Sequence, residues 1–405
     1  MADSPYVSVV PRSQHRLWRG RDVRLGHLDV ELTERCNNRC MHCLINLPED
    51  DSAARAAEMD TEFVKDVLFQ AVELGCKSVR FTGGEPLLRH DFEPLYLYAR
   101  RLGMRVRLFT NGRLITPDLA RLFVRVPLDS LIEITAYGMH PESYDAVAGV
   151  RGAFEEYWRG VRLLRELGIP FVVKSCLLPP NRHELAEYEA LVASLPDMTY
   201  PSCFAVYDLR VRRDDAARNR RIERLRLPPQ EVIAHLARQP DYVDGMRDYC
   251  ARSLGPPGDI LFSCDMGRNP AVDAYGRVQG CLLLRHPDTV YELKRGSLRE
   301  AMAEFFPQLR RLRATSAGYL ERCARCFLQG LCHQCPAKAW IEHGTLDTPV
   351  EYFCALAHAQ ARHLGLLAEH EHGWQVSDWR QRVQRLVGVP PVAKEVMLDR
   401  QCAEA

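Results

Sequence analysis

The alternation of short apolar strands with amphipathic helices between residues 27 and 207 most constrains the fold of this 405-residue chain. In one helix, Thr61–Leu74, Asp60 is the predicted N-cap and apolar residues recur at helical spacing. The predicted strands are His27–Thr33, Ser78–Thr82, Arg105–Thr110, Ser130–Tyr137, Phe171–Leu178 and Tyr200–Tyr207. Six strand and helix units predict a parallel sheet with right-handed crossovers, curved into a barrel or left open, with functional groups at the carboxyl ends of the strands.

The composition excludes several classes of protein. A hydrophobic fraction of 46% suffices for a large core and more than one domain. The formal net charge of +1 gives no general attraction to nucleic acid or membranes. No apolar run reaches the roughly 20 residues that span a bilayer, and the N-terminus lacks the apolar core of a signal peptide, so we expect a cytoplasmic protein. Fifteen clustered cysteines in a reducing compartment indicate metal sites.

Three of these cysteines, Cys36, Cys40 and Cys43, lie within eight residues just after the first predicted strand. Such a loop can ligate three irons of a cubic iron–sulfur cluster and leave the fourth iron open. A zinc ion would normally recruit a fourth protein ligand, and His42 could complete such a site. Reduced cysteines without a metal are the other alternative.

The C-x3-C-x2-C spacing, with His42 before the last cysteine, resembles the signature of the radical S-adenosylmethionine (SAM) superfamily. The resemblance implies that Cys36, Cys40 and Cys43 hold a [4Fe-4S] cluster whose open iron binds the methionine part of SAM. One electron would then cleave SAM to methionine and a 5′-deoxyadenosyl radical, while the protein positions and shields the reactants.

The second predicted strand is followed directly by Gly83, Gly84, Glu85 and Pro86. Alone, this is an ordinary turn, although two glycines also let the backbone approach a ligand closely and Glu85 can pair with an ammonium group. About 40 residues after the cysteines, it resembles the GGEP motif of the superfamily, which implies contact with the methionyl end of SAM.

Three further strands end in candidate SAM contacts. Asn111, in Thr110-Asn111-Gly112, is similar to a family segment near the adenosine, although an ordinary turn explains Asn-Gly equally well. Thr135 stands where many relatives have a serine-rich strand that touches the ribose. Lys174 lies among apolar residues and either meets the SAM carboxylate or extends its ammonium group into solvent at the strand end.

The cysteines of residues 251–365 resemble those of the SPASM domain, a C-terminal extension of radical SAM enzymes with two auxiliary iron–sulfur clusters. By that resemblance, the inner cluster is held by Cys264, Cys281 and Cys335, and the outer one by Cys323, Cys326, Cys332 and Cys354. The spacing before Cys335 is one residue shorter than usual, so His333 could compete. Cys250 or an open iron would complete the inner cluster. Paired C-x2-C spacing is equally typical of zinc ribbons.

The catalytic acid or base is not evident. Sulfatase-maturing relatives carry an acidic residue directly after the second SPASM cysteine, where this chain has Leu282. Asp208, Glu133 and Tyr137 are weak candidates near strand ends, and a structural role is the favoured interpretation of each acid.

An arginine-rich stretch follows the last predicted strand. Its arginines are Arg210, Arg212, Arg213, Arg218, Arg220, Arg221, Arg224 and Arg226. An ion-paired helix or loop on the surface is the ordinary interpretation, and a docking surface for an acidic peptide is the alternative.

The predicted fold is α/β: a partial (β/α)6 TIM-like barrel of parallel strands followed by a small cysteine-rich SPASM domain. The predicted segments are an N-terminal extension (1–26), the barrel (27–207), a basic bridge (208–250), the SPASM domain (251–365) and a tail (366–405). Only about 26 residues precede the barrel, so we expect any peptide-recognition module to be a separate protein.

Three functions agree with the sequence. The first is a radical SAM enzyme that modifies a ribosomally made peptide or protein with two auxiliary [4Fe-4S] clusters, supplied with electrons by a donor such as flavodoxin or ferredoxin. The second is radical SAM oxidation or rearrangement of a small molecule, such as a sugar or cofactor precursor. The third is a zinc-stabilised binding module without catalysis.

Overall fold

The structure is a computed structural model and describes residues 23–128, 130–198, 202–239, 242–264 and 266–388. Most of the predicted N-terminal extension, the start of the sixth predicted strand at Tyr200, and the last 17 residues of the tail lie outside these ranges.

The strands follow the predicted positions in the first half of the chain. They are β1 (His27–Thr33), β2 (Arg35–Cys36), β3 (Leu47–Pro48), β4 (Ser78–Gly83), β5 (Arg105–Thr110), β6 (Ile132–Ala136), β7 (Phe171–Cys176), β8 (Ser202–Phe204), β9 (Ala271–Val272), β10 (Arg277–Gln279) and β11 (Val290–Glu292).

Helices alternate with the strands of the first half and dominate the second half. They are α1 (Ser52–Ala57), α2 (Thr61–Glu73), α3 (Phe92–Arg101), α4 (Pro117–Arg125), α5 (Pro141–Ala148), α6 (Ala153–Glu166), α7 (Leu185–Ala193), α8 (Ala216–Leu225), α9 (Pro229–Leu236), α10 (Tyr242–Ser253), α11 (Leu298–Glu300), α12 (Phe306–Leu309), α13 (Ala317–Glu321), α14 (Pro336–His343), α15 (Glu351–His363) and α16 (Trp379–Val387).

The main sheet has nine strands in the order β11-β10-β9-β1-β4-β5-β6-β7-β8. Strands β1, β4, β5, β6, β7 and β8 are parallel neighbours in chain order, as successive crossovers of one hand produce. The predicted α/β fold with six parallel strands is therefore confirmed. Because the strands are parallel, the loops that follow them all begin at the same edge of the sheet.

The strands alternate between an apolar and a more polar face. On β6, Ile132, Ile134 and Ala136 are buried, whereas Glu133 and Thr135 are partly exposed on the opposite face. On β1 both faces are buried, and Asp29 and Glu31 lie on one of them. The alternation has the strand period of two, so each strand presents its polar side chains to one side of the sheet.

A hairpin from the cysteine-rich half extends this sheet. Strand β9 pairs in parallel with β1, with Ala271 opposite Asp29, and β10 returns antiparallel to β9. The sequence from Ala271 to Cys281 predicts a hairpin that turns at Tyr275-Gly276 and carries Cys281 on its returning strand. The hairpin and its turn are confirmed, and Gly276 has a φ of +86°. Cys281 follows the returning strand by two residues and does not lie on it, because β10 ends at Gln279.

The described chain divides into two compact units. The first holds the residues up to Arg226 together with Phe262–Leu312 and Trp340–Gly344, and the second holds Leu227–Leu261, Arg313–Ala339 and the residues from Thr345 onward. The sequence-based domain boundaries stay predictions.

The second unit has its own apolar core, to which Leu254, Phe327 and Leu364 contribute. The ring of Trp379 stacks on Phe327 at 5.8 Å. The tail therefore contains a packed helix, α16, that the sequence-based prediction missed, although Trp379, Val383 and Leu386 recur at helical spacing.

No helix within the described residues is both long and apolar enough to span a membrane.

The predicted N-cap of helix α2 can be tested by mutation. The Asp60 carboxylate accepts a hydrogen bond from the backbone N–H of Phe63 at 2.8 Å, which confirms the predicted N-cap. We expect Asp60→Ala to lower the free energy of unfolding by about 1 kcal/mol, because one N–H of the first turn loses its acceptor. Asp66→Ala, on the exposed side of the same helix, should change it by less than about 0.5 kcal/mol in the same denaturation experiment.

Candidate active site

The three-cysteine loop begins where β1 and the short strand β2 end. Cys36 and Cys40 are buried, and Cys43 is partly buried. The loop backbone bonds to the end of helix α5: the N–H of Arg39 donates to the carbonyl of Ala148 and that of Met41 to Val147. The loop is thus a fixed part of the first unit.

Two of the thiols have polar neighbours. The Cys36 sulfur accepts hydrogen bonds from the N–H of Asn38 at 3.4 Å and from the side-chain amide of Asn111 at 3.8 Å. The Tyr137 hydroxyl bonds to the Cys40 thiol. Burial, with the neighbouring thiol Cys43, raises the pKa of Cys40 to about 12, and burial also raises the pKa of Cys36 well above its usual range. Binding of a metal by these cysteines therefore has to release their protons.

Asparagine and arginine side chains hold the loop from the side of β5. The Asn111 amide donates to Asn37 Oδ1 at 2.7 Å. Arg113 donates to the carbonyl of Asn37 and, at 2.6 Å, to Asn38 Oδ1. The Asn46 amide donates to the carbonyl of Asn38 at 2.9 Å. These bonds satisfy the carbonyl and side-chain oxygens of Asn37 and Asn38 without solvent. Asn38 Nδ2 is buried and has no hydrogen-bond partner among the described residues.

Two arginines that follow β8 also hold the loop. Arg210 is buried and donates to the carbonyls of Cys43 and Asn46, each at 3.1 Å. Arg218 donates to the carbonyl of Cys40 at 2.9 Å. The sequence predicted a surface stretch here, but these two arginines are structural donors to the cysteine loop.

The Gly83-Gly84 pair lies against the start of the same loop. The N–H of Gly84 donates to the Thr33 carbonyl at 2.7 Å, and the N–H of Glu85 donates to the Arg35 carbonyl at 2.8 Å. A Cβ on Gly84 would stand 2.2 Å from the Arg35 carbonyl oxygen, far inside contact distance. The glycines are therefore required for the approach of two backbone segments, whatever ligand lies nearby.

Glu85 is fully buried and connects two motifs. Its carboxylate accepts hydrogen bonds from the Thr110 hydroxyl and the Asn111 N–H, both at 2.8 Å, and from the Leu87 N–H at 3.0 Å, beside the short turn that Pro86 begins. Burial raises its pKa to about 7, against these hydrogen bonds. The Glu85 carboxylate thus joins the turn after β4 to the end of β5.

The candidates on β6 and β7 form a pair. The Lys174 ammonium lies 2.6 Å from the Glu133 carboxylate and 5.0 Å from the centre of the Phe109 ring. Thr135 is opposite Lys174 in the strand register. Lys174 thus has a charge partner on the polar face of the sheet.

His42 is packed between two aromatic rings, those of Tyr137 at 5.8 Å and Tyr207 at 5.6 Å. Burial lowers the pKa of His42 to about 4, so the ring is neutral at pH 7. Its Nδ1 is buried and has no hydrogen-bond partner among the described residues. Asp208 follows Tyr207 directly and is partly buried.

A buried group of charged residues near β1 escaped sequence analysis. Arg285 donates to the Glu31 carboxylate at 2.6 and 2.7 Å and to Glu34 at 2.6 Å, and the Tyr275 hydroxyl donates to Glu34 at 2.7 Å. Burial raises the pKa of Glu31 to about 7, although Arg285 opposes the shift. The signal in the sequence was the acidic residues that alternate with apolar ones in His27–Thr33.

In the second unit, the structure brings all four of the predicted outer-cluster cysteines together. Burial raises the pKa of Cys323 to about 11 and those of Cys326 and Cys332 to about 12, and in each case the charge of Cys354 adds to the shift. The Arg322 guanidinium lies 3.6 Å from the Cys354 sulfur. This group is consistent with the predicted ligand set.

The predicted inner-cluster cysteines lie in different units. Cys264 is exposed and Cys281 is partly buried in the first unit, whereas Cys335 belongs to the second. Cys250, the candidate fourth ligand, is fully buried in the apolar core of the second unit beside Leu254 and Phe327, where it acts as a small core residue.

The donor set fits iron–sulfur clusters. Among the described residues, no three His, Cys, Asp or Glu side chains are arranged around one metal-ion position. Cysteines of a cluster ligate different irons, so their sulfurs need not meet at one point. The N–H groups directed at the Cys36 sulfur are the donors that stabilise a metal-bound thiolate.

Comparison with known proteins gives the class of one part of the first unit. Residues 30–192 match the Radical SAM superfamily, so this part of the chain is a radical SAM domain.

Particular relatives have different activities. The chain is 30% identical over 176 residues to an AdoMet-dependent heme synthase of Methanosarcina barkeri, covering 44% of this chain and 49% of the relative. It is 33% identical over 166 residues to the PqqA peptide cyclase of Gluconobacter oxydans, covering 41% and 45%. The chain thus spans about half the length of these relatives.

One solved structure has a similar fold over a larger part of this chain than these relatives cover. Streptococcus suis SuiB bound to its precursor peptide SuiA covers 82% of this chain and 76% of its own, with a TM-score of 0.61 and 14% identity.

The glycine contact gives a prediction for the site. We expect Gly84→Ala to lower the free energy of unfolding by about 2–3 kcal/mol, because its Cβ would overlap the Arg35 carbonyl and separate the two backbone segments. Gly26→Ala is the control, since nothing lies within 4 Å of a Cβ built there. Equal unfolding curves for the two variants would contradict this account of the Gly83-Gly84 turn.

Proposed function

We propose that this chain is a radical SAM enzyme that cleaves SAM reductively and abstracts a hydrogen atom from a ribosomally made peptide or protein, which it crosslinks, oxidises or otherwise modifies. Two auxiliary [4Fe-4S] clusters, held by the cysteine sets predicted above, take part. The observation that carries the proposal is the junction of three motifs, in which Asn111 contacts the Cys36 thiol through its amide and the Glu85 carboxylate through its N–H.

We assign separate roles to the candidate residues of the site, within this junction and beside it. Cys36, Cys40 and Cys43 would hold the cluster, which when bound supplies the electron that cleaves SAM to methionine and a 5′-deoxyadenosyl radical. Lys174 keeps ammonium protons for the SAM carboxylate while Glu133 balances its charge. Thr135, on the same face as Glu133, is placed for a ribose hydroxyl.

Glu133 and Asp208 are the proposed candidates for a proton acceptor during substrate oxidation. Glu133 is the better placed of the two, because Lys174 holds its carboxylate on the polar face of the sheet. Tyr137 is assigned to the cysteine loop, because its hydroxyl contacts the Cys40 thiol and burial raises its pKa well above the usual range.

Two comparisons support a peptide substrate. PqqA peptide cyclase is a sequence relative, and the SuiB structure of similar fold holds a precursor peptide. The proposal includes a separate peptide-recognition protein, a one-electron donor such as flavodoxin or ferredoxin, and a cytoplasmic location.

A small-molecule substrate is the second candidate function. The AdoMet-dependent heme synthase relative favours it, since its name refers to a cofactor as the product. Both candidates use the same SAM cleavage, and they differ only in what fills the space beside the polar face of the sheet.

The first experiment is iron and sulfide analysis of anaerobically purified protein, together with release of 5′-deoxyadenosine from SAM under reduction. We expect about twelve irons per chain and turnover of SAM. Zinc in place of iron, with no turnover, would refute the proposal and favour a zinc-stabilised binding module.

Cysteine variants separate the cluster sites. We expect Cys40→Ala to abolish 5′-deoxyadenosine release, because the first cluster loses a ligand. Cys326→Ala should lower the iron content by about four per chain and leave part of the release intact. Cys76→Ala is the control, because Cys76 is buried and its thiol bonds to the Ser78 carbonyl. Deoxyadenosine release at the wild-type level from Cys40→Ala would exclude the loop as the cluster site.

A further inference from the structure

A cavity of about 620 Å³ opens beside the cysteine loop on the side of helices α5 and α8. Arg39, Met41 and Asn46 of the loop region line it, and Ala146 and Gly149 line it near α5. Helix α8 contributes Arg218, Arg221, Arg224 and Leu225. Four of the lining side chains are arginines, and the described lining contains no carboxylate.

Three of these arginines have no charge partner among the residues that the structure describes. The side chains of Arg39, Arg221 and Arg224 are exposed and make no hydrogen bond or ion pair with the described residues. By contrast, Arg212 pairs with Glu34 and Asp214, and Arg226 pairs with Glu342. In a chain with a net charge of +1, an unpaired group of this kind marks a surface for an acidic partner.

The cavity is adjacent to the cysteines. Arg39 and Met41 flank Cys40 in sequence, and Arg218, in the cavity wall, donates to the Cys40 carbonyl at 2.9 Å. The candidate SAM contacts Glu85, Asn111 and Lys174 do not line the cavity. A molecule bound there would thus lie against the cysteine loop from outside, away from the strand ends where SAM and the substrate have to meet.

We infer that Arg39, Arg221 and Arg224 form the docking surface for an acidic one-electron carrier protein. This inference rests on the proposed function. The reduced carrier passes one electron to the cluster through the loop and leaves oxidised by one electron, and no proton or group is transferred.

The position of the cavity favours a carrier over an acidic peptide substrate. A substrate carbon has to approach the SAM side of the cluster, because the hydrogen atom is transferred there. An electron donor needs only a close approach to the cluster, from any side. Electron carriers bind their partners briefly through small, charged surfaces, and the affinity of such binding falls as salt is added. We expect the same salt dependence for binding at this group of arginines.

The test compares two double charge reversals in the full-length, cluster-loaded enzyme. Arg221→Glu/Arg224→Glu changes the proposed surface. Arg162→Glu/Arg165→Glu is the matched control, because these arginines have the same spacing on the exposed side of helix α6. The probe is a flavodoxin of strong negative charge, and its affinity is measured by calorimetry at low and high salt.

We expect the Arg221→Glu/Arg224→Glu variant to bind flavodoxin at least about tenfold more weakly at low salt, with little difference at high salt. Its 5′-deoxyadenosine release driven by dithionite should equal that of the wild type, since a chemical reductant needs no docking surface. The control variant should match the wild type in both measurements.

Other outcomes overturn the inference. Equal flavodoxin affinity of the two variants would exclude this surface, as would the absence of wild-type affinity for both flavodoxin and a ferredoxin. Loss of peptide affinity without loss of carrier affinity would assign the surface to the substrate. A wild type without SAM cleavage under dithionite would refute the proposed function itself, whatever the binding data show.

Discussion

The cysteine loop depends on the hydrogen bonding of its own backbone. Cys36, Cys40, Asn38 and Asn46 are buried, so the peptide groups of these four residues are shielded from bulk water. A buried carbonyl without a donor costs roughly 1–3 kcal/mol, and several lie within this loop. Arg113, Arg210 and Arg218 supply the donors. Guanidinium groups suit this task because each carries five N–H donors on one rigid plane and keeps its charge at any physiological pH.

This requirement explains why distant motifs converge. Gly84 brings its turn against the Arg35 carbonyl, and Glu85 reaches from that turn to Thr110 and Asn111. Asn111 then reaches the Cys36 thiol. Each contact begins at the carboxyl end of a parallel strand, so the sheet places the motifs and the side chains only complete the connection. The motif residues are thus needed for the structure of the site even before any cofactor binds.

The sequence predicted the elements with a strong local signal. The six parallel strands, the N-cap of α2 and the hairpin at Gly276 followed from periodicity, capping and turn chemistry. The sequence did not reveal that Lys174 pairs with Glu133, or that Arg210 and Arg218 bond to the cysteine loop. These are contacts between residues far apart in the chain, and no local pattern distinguishes a buried arginine from an exposed one. Helix α5, which begins at Pro141, was missed because eight residues carry too little periodicity to identify a helix.

The two arginine contacts also fix an order of events during synthesis. Arg210 and Cys43 are 167 residues apart in the chain, and Arg218 and Cys40 are 178 residues apart. Neither bond can form until its own arginine, at residue 210 or 218, has been translated, whereas Asn111 and Arg113 reach the ribosome exit about a hundred residues earlier. At roughly 5–20 residues per second, the loop lacks these two bonds for at least several seconds. During that interval the nascent chain leaves the loop accessible to cellular factors, before Arg210 and Arg218 bind its carbonyls.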